Sequence, residues 1–148
     1  MIMDAFYFKL LARSQGNLSG VHEDLRSLYS LMVERCPDGL FPCVVEGVRS
    51  KERQAELRRA GLSSVRQSLH QTGRAIDVVL FKVSEAGIQA TYDPADYGRF
   101  ATACRLPRSV DGLVWGGNWK QRDYLHWEIP VVPIGQVPPE GGEGGAKA

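Results

Sequence analysis

The sequence predicts an α+β domain. Some segments repeat apolar residues at helical spacing, others are nearly continuous apolar runs, and the two kinds alternate along the chain. At 148 residues the chain fits one domain and leaves little for a second. Hydrophobic residues make up 43% and charged residues 24%, which allows a core and excludes the composition of a disordered chain. A formal net charge of +1 excludes an overall basic surface as the basis of nucleic-acid binding.

The elements follow in order. Near the N-terminus, Asp4 precedes a short apolar run and basic residues follow it. That order is wrong for a secretory signal and the run is too short to span a membrane, so a soluble cytoplasmic product is expected. Val21, Leu25, Leu28 and Met32 recur at helical spacing and predict a helix over 21–35, with Ser19 available as its N-cap. Pro37-Asp38-Gly39 ends it, and Phe41 to Val48 reads as a strand centred on Val44 and Val45. Ser50 caps a second helix from Lys51 to Ala60, which Gly61 stops. Ser63 to Gly73 has no stable period and reads as an exposed loop.

Ala75 to Phe81 is an apolar run interrupted by one charge, Asp77. Pro94 opens a third helix that continues to Cys104, and Leu113 to Trp115 and Tyr124 to Val132 are further strand segments. Periodicity alone does not settle how these strands pair. Residues 135–148 contain five glycines and two prolines, the composition of a flexible tail, which leaves 1–134 as the domain. Cys36, Cys43 and Cys104 are too scattered for a metal motif or a disulfide framework and read as buried free thiols.

Asp77 is the chemical anomaly. A carboxylate inside an apolar strand costs several kcal/mol, to order of magnitude, unless it is paired, hydrogen-bonded or bound to metal. His70 lies seven residues upstream, and Asp123 and His126 form D-Y-L-H near the last strand. Two imidazoles and a carboxylate make a mixed N/O set suited to zinc, with a fourth position left for water and Asp123 available to act on it. The spacing alone is a moderate signal. His22, near the start of the first helix with no carboxylate pattern nearby, reads as an ordinary hydrogen-bonded residue.

Three ordered blocks carry a resemblance. Ser68-Leu69-His70-Gln71-Thr72-Gly73-Arg74-Ala75-Ile76-Asp77 matches S-x-H-x-x-G-x-A-x-D in full. Upstream lie Gly47-Val48-Arg49-Ser50, Gln54, Leu57, Gly61 and Ser63; downstream, W-G-G-N-W at 115–119 precedes D-Y-L-H-W-E at 123–128. In these blocks the chain resembles the zinc D-Ala-D-Ala carboxypeptidase (VanY-like, M15) peptidase family, and among its members the phage L-alanyl-D-glutamate endopeptidase endolysins. One departure is Leu125, where many phage members carry proline.

The resemblance implies a small antiparallel sheet with flanking helices. It implies His70, Asp77 and His126 as Zn2+ ligands, Asp123 as general base, and Arg49 as a substrate-binding, transition-state-stabilising cation. Ser68, Gln54, Glu128 and Trp115 are the expected substrate or supporting residues. Glu128 follows His126 by two, so on a strand both face one side. The expected activity is zinc-dependent hydrolysis of the L-Ala-D-Glu bond of peptidoglycan stem peptides. The expected setting is a monomeric phage or prophage endolysin, held in the host cytoplasm until a separate membrane-permeabilising protein releases it. The alternatives are a D-alanyl-D-alanine carboxypeptidase using the same site, or a non-catalytic wall-binding protein. Between residues 47 and 74 seven basic residues outnumber two acidic ones. Neither a recognition helix nor an aromatic–basic sheet pattern accompanies them, so no nucleic-acid partner is expected, and the short N-terminal apolar run gives no stable membrane association.

Overall fold

The computed structural model describes residues 2–63, 68–104 and 111–131, with side chains from Ala5 onward. The expected tail at 135–148 and the boundary at 134 lie outside the described residues. Among the described residues, four helices, α1 (Ile2–Asn17), α2 (Glu23–Arg35), α3 (Lys51–Arg59) and α4 (Pro94–Ala103), accompany five strands. The strands are β1 (Leu40–Glu46), β2 (Ala75–Ser84), β3 (Gly87–Thr91), β4 (Val114–Trp115) and β5 (His126–Glu128), and 3-10 turns occupy Leu69–Thr72 and Gly116–Asn118. Every strand pairing is antiparallel, in the order β1-β2-β5-β4, with β3 on the distal half of β2.

Local chemistry sets most boundaries. The Ser50 hydroxyl accepts from Arg53 N–H and starts α3, and the Asp93 carboxylate accepts from Ala95 N–H with Pro94 opening α4. Two elements differ from the sequence expectation. α1 was not anticipated, because Phe8, which is exposed, sits among Phe6, Tyr7, Leu10 and Leu11 and blurs the helical stripe that those four form. The β3 hairpin arm was not anticipated either, since Gly87–Thr91 is mostly exposed and lacks an apolar alternation. The cap of α2 is His22 rather than Ser19: its Nδ1 accepts from Asp24 N–H at 3.1 Å. The last strand is limited to 126–128, and the expected loop at 63–73 contains an ordered turn at 69–72.

The sheet has two unlike faces. On one, Ile76, Val78 and Leu80 of β2 join Leu25, Leu28 and Met32 of α2, and Tyr97 and Phe100 of α4, in the main core. On the other, α1 lies over the distal part, with Phe6 against Phe81 and Tyr7 against Phe41. Strand alternation places Asp77 on this second face, at the end of β2 where α1 has already stopped. The end of α1 is tied to β1 by Asn17 Nδ2, which donates to Val44 O at 2.8 Å.

Candidate metal centre

Three segments converge on Asp77. The 3-10 turn supplies His70: the Ser68 hydroxyl accepts from His70 N–H, Gln71 Oε1 accepts from Ser68 N–H, and Gly73 closes the turn at φ +73°. A side chain at Gly73 would be strained at that φ and would also strike Gly20 O, so the turn needs glycine here. β5 supplies His126, paired directly opposite Asp77. At Gly47, a Cβ would overlap the Asn17 carbonyl, and its own carbonyl oxygen lies 2.9 Å from His70 Nδ1.

The result is a compact N, O, N set. Asp77 Oδ1 lies 3.4 Å from His70 Nε2 and 3.3 Å from His126 Nδ1, and one ligand atom from each residue lies within 4.8 Å of the others. Both imidazole side chains are almost completely buried. A carbonyl oxygen only accepts, so the Gly47 contact assigns the His70 proton to Nδ1 and leaves a lone pair on Nε2. That Nε2 is buried without a hydrogen-bond partner. Glu128 Oε1 sits 2.7 Å from His126 Nε2, which turns Nδ1 toward Asp77. Acceptor atoms gathered this way repel one another unless a cation or proton lies among them, and the donor set fits a borderline-soft divalent metal.

The electrostatics agree. Burial pushes the Asp77 carboxyl up, but the His70 and His126 imidazoles outweigh it and hold it below the usual carboxylate range. Burial lowers His126, yet hydrogen bonds and charge from Asp77 and Glu128 overcome this and raise it to about 9.

Around this set lies a second layer. The Arg49 side chain has no exposed surface: Nε and Nη2 donate to the two Glu46 oxygens at 2.7 and 2.8 Å, and Nη1 donates to Gln54 Oε1 at 2.9 Å. Gln54 Nε2 in turn donates to Ser63 Oγ at 3.0 Å. Arg49 Nη2 also forms an ion pair with Asp77 Oδ2 at 3.8 Å. Asp123 is half-buried in the turn before β5; its N–H donates to Gly116 O, and its carbonyl accepts from His126 N–H. A Cβ on Gly116 would approach both Asp123 and His126, so this glycine lets the two segments meet.

Trp115 is placed apart from the cluster. It pairs with Trp127, stacks on it with ring centroids 5.7 Å apart, and donates from Nε1 to Tyr124 O. Alternation along β5 puts that stack on the face opposite His126. Trp119 is the tryptophan against His126, with ring centroids 5.0 Å apart. Glu46 belongs to none of the motif blocks; its one signal in the sequence is a charge that ends an apolar strand just ahead of Gly47-Val48-Arg49.

The comparisons with known proteins point the same way. A family model described as D-alanyl-D-alanine carboxypeptidase matches residues 62–129, which include all three candidate ligands. The crystal structure of Serratia marcescens L-Ala D-Glu endopeptidase ChiX is similar at 36% identity and a TM-score of 0.68, over 80% of this chain and 87% of that one. Among curated proteins none matches the sequence. With this similarity across most of both chains, and a His-Asp-His cluster inside the matched segment, the chain belongs to the M15 peptidase family and is a metallopeptidase.

Proposed function

We propose that the protein is a zinc-dependent endopeptidase that cleaves the L-Ala-D-Glu bond of peptidoglycan stem peptides, acting as a phage or prophage endolysin. The observation that carries the reading is the buried His70–Asp77–His126 set, with its unpartnered His70 Nε2. The choice of bond is supported by the similarity to ChiX, which is described as an L-Ala D-Glu endopeptidase. Among the described residues no helix is long and apolar enough to cross a membrane, which is compatible with release by a separate permeabilising protein.

His70, Asp77 and His126 would hold the ion. Bound there, zinc supplies Lewis-acid polarisation of the scissile carbonyl and brings the pKa of water from about 15.7 toward 7. Asp123, three residues before His126, takes the proton from the attacking water and returns it to the leaving amine. Arg49, whose charge is shared between Glu46 and Asp77, orients the Asp77 carboxylate from behind the ion's position. Glu128 holds the His126 ring, and Ser68 and Gln54 hold the turn and the guanidinium. Trp115 supports β5 from the core side. Monomeric action on peptidoglycan, without a nucleic-acid partner, completes the reading.

A second reading, a D-alanyl-D-alanine carboxypeptidase, is favoured by the description of the matching family model. Mass spectrometry of stem-peptide-containing peptidoglycan digested by the zinc-loaded protein separates the two. New L-alanine C-termini and D-glutamate N-termini are expected, and they should be absent after chelation and in His70→Ala and Asp123→Ala. Asp123→Ala should keep its zinc while losing about 10²–10⁴ in rate. Released D-alanine selects the carboxypeptidase. No cleavage by a zinc-bound protein across several wall types overturns both and leaves a wall-binding role.

A further inference from the structure

We propose that Glu46 is a positioning residue of the metal centre, acting through Arg49 on one oxygen of Asp77. The inference rests on the metallopeptidase reading and concerns a residue that reading does not use. Its origin is a β-bulge. β1 and β2 pair Val44 with Val78, and the register then shifts so that Glu46, rather than Val45, stands opposite Asp77. Paired residues share a face, so the bulge turns a carboxylate toward the site where regular pairing would have placed valine.

The consequence is a division of labour between the two Asp77 oxygens. Oδ1 faces both imidazoles, at 3.4 and 3.3 Å. Oδ2 faces Arg49 Nη2 at 3.8 Å. The guanidinium is held away from a closer approach because Glu46 grips it on both Nε and Nη2, and Gln54 grips Nη1 from the other side. Two-point carboxylate–guanidinium pairs fix orientation as well as charge. Glu46 therefore stops Arg49 from turning its paired donors onto Asp77, where a two-point pair would occupy the oxygen that the ion needs.

The test compares the 148-residue wild-type chain with Glu46→Ala and Glu46→Gln. Zinc affinity is read by competition with a chromophoric chelator, and ligand geometry by the visible d–d bands of the cobalt(II)-loaded protein. Circular dichroism checks folding. Glu46→Ala should lose roughly 10- to 100-fold in zinc affinity, the range for groups that orient metal ligands, and shift the cobalt bands. Glu46→Gln keeps an oxygen acceptor and should fall between Ala and wild type, and it decides the matter if Ala does not fold. Folded variants with zinc affinity within about twofold of wild type and unchanged cobalt bands would reduce Glu46 to a counter-ion for a buried arginine and overturn the proposal. Neither readout needs cleavage. A wild type that binds zinc but cuts no peptidoglycan sinks the peptidase reading alone, whereas one that binds no zinc overturns both.

Discussion

Asp77 and Asp96 are both largely buried carboxylates near β2, at opposite ends of it, and their surroundings differ in kind. Around Asp96, every neighbour donates: Thr91 Oγ1 at 2.8 Å and Lys82 Nζ at 3.5 Å to Oδ2, and Arg99 Nη2 at 3.2 Å to Oδ1. Around Asp77, the nearest groups are two imidazole nitrogens beyond 3.2 Å, one of them otherwise without a partner, and an arginine kept at 3.8 Å. The first carboxylate is satisfied by the chain itself. The second has only long contacts, to His126 Nδ1, His70 Nε2 and Arg49 Nη2, which leave room among them for a cation. A buried charge alone does not mark a functional site; what its neighbours can donate does.

The largest test of this contrast removes the cation or its anchor. Chelation, or Asp77→Asn, should lower peptidoglycan cleavage on the order of thousandfold or more, because several kcal/mol of transition-state stabilisation go with the metal. Zinc at about 100 times its Kd should stabilise wild type by about 2.7 kcal/mol in denaturant titrations, and Asp77→Asn should show little of this gain. Equal zinc stabilisation in both proteins would break the comparison.

Glu128→Gln sharpens it. Its oxygen lies 2.7 Å from His126 Nε2, so weakening this contact should cost roughly 10- to 100-fold in zinc affinity. At the other end of β2, Asp96→Ala should do the reverse. Unfolding free energy should fall by about 1–3 kcal/mol as Thr91 and Arg99 lose their acceptor, with zinc affinity and kcat/KM of the folded protein unchanged.

Asp96 also predicts a pH effect. The Thr91 hydrogen bond, with help from Arg99 and Lys82, outweighs burial and holds its carboxyl below the ordinary range. A depressed folded pKa contributes stability above the unfolded value, near 3.9, and loses it as pH falls through the folded one. The stability gap between wild type and Asp96→Asn should therefore be full above pH 5 and shrink in acid. The smallest effect concerns two thiols, Cys104 in the core and Cys36, which is only partly buried at the core's edge rather than buried as the sequence suggests. Burial pushes Cys36 up to about 12 and Cys104 up to about 11, so folded protein at pH 8 should react slowly at both with a disulfide reagent, and unfolded protein quickly.

Legibility from the sequence was uneven in a physically consistent way. α3 was readable because Ser50 and Gly61 bracket it, and β2 because its apolar run is strong. α1 and β3 were not, because their formation depends on what they pack against. The residues of the His70–Asp77–His126 cluster were readable because His70 and Asp77 stand at fixed offsets in one motif and His126 in a second. Trp119 appeared within the W-G-G-N-W block, but its contact with His126 did not, since the turn at Gly116 decides which indole faces the site.

By itself the sequence determined most of the element types, the Ser50 cap of α3, the Pro94 start of α4, and the presence of His70, Asp77, His126, Arg49 and Asp123 in three ordered motif blocks. These are local properties, set by side-chain shape, backbone freedom and donor type within a few residues. Tertiary structure decided the register. A single bulge put Glu46 opposite Asp77, and the antiparallel pairing of β5 brought His126 across from it, 49 residues away in the chain. Register is a sum over many weak cross-strand contacts, and a shift of one residue reverses which face each side chain joins. No short stretch of sequence contains that sum, so which groups meet around the metal centre emerges only when the sheet closes.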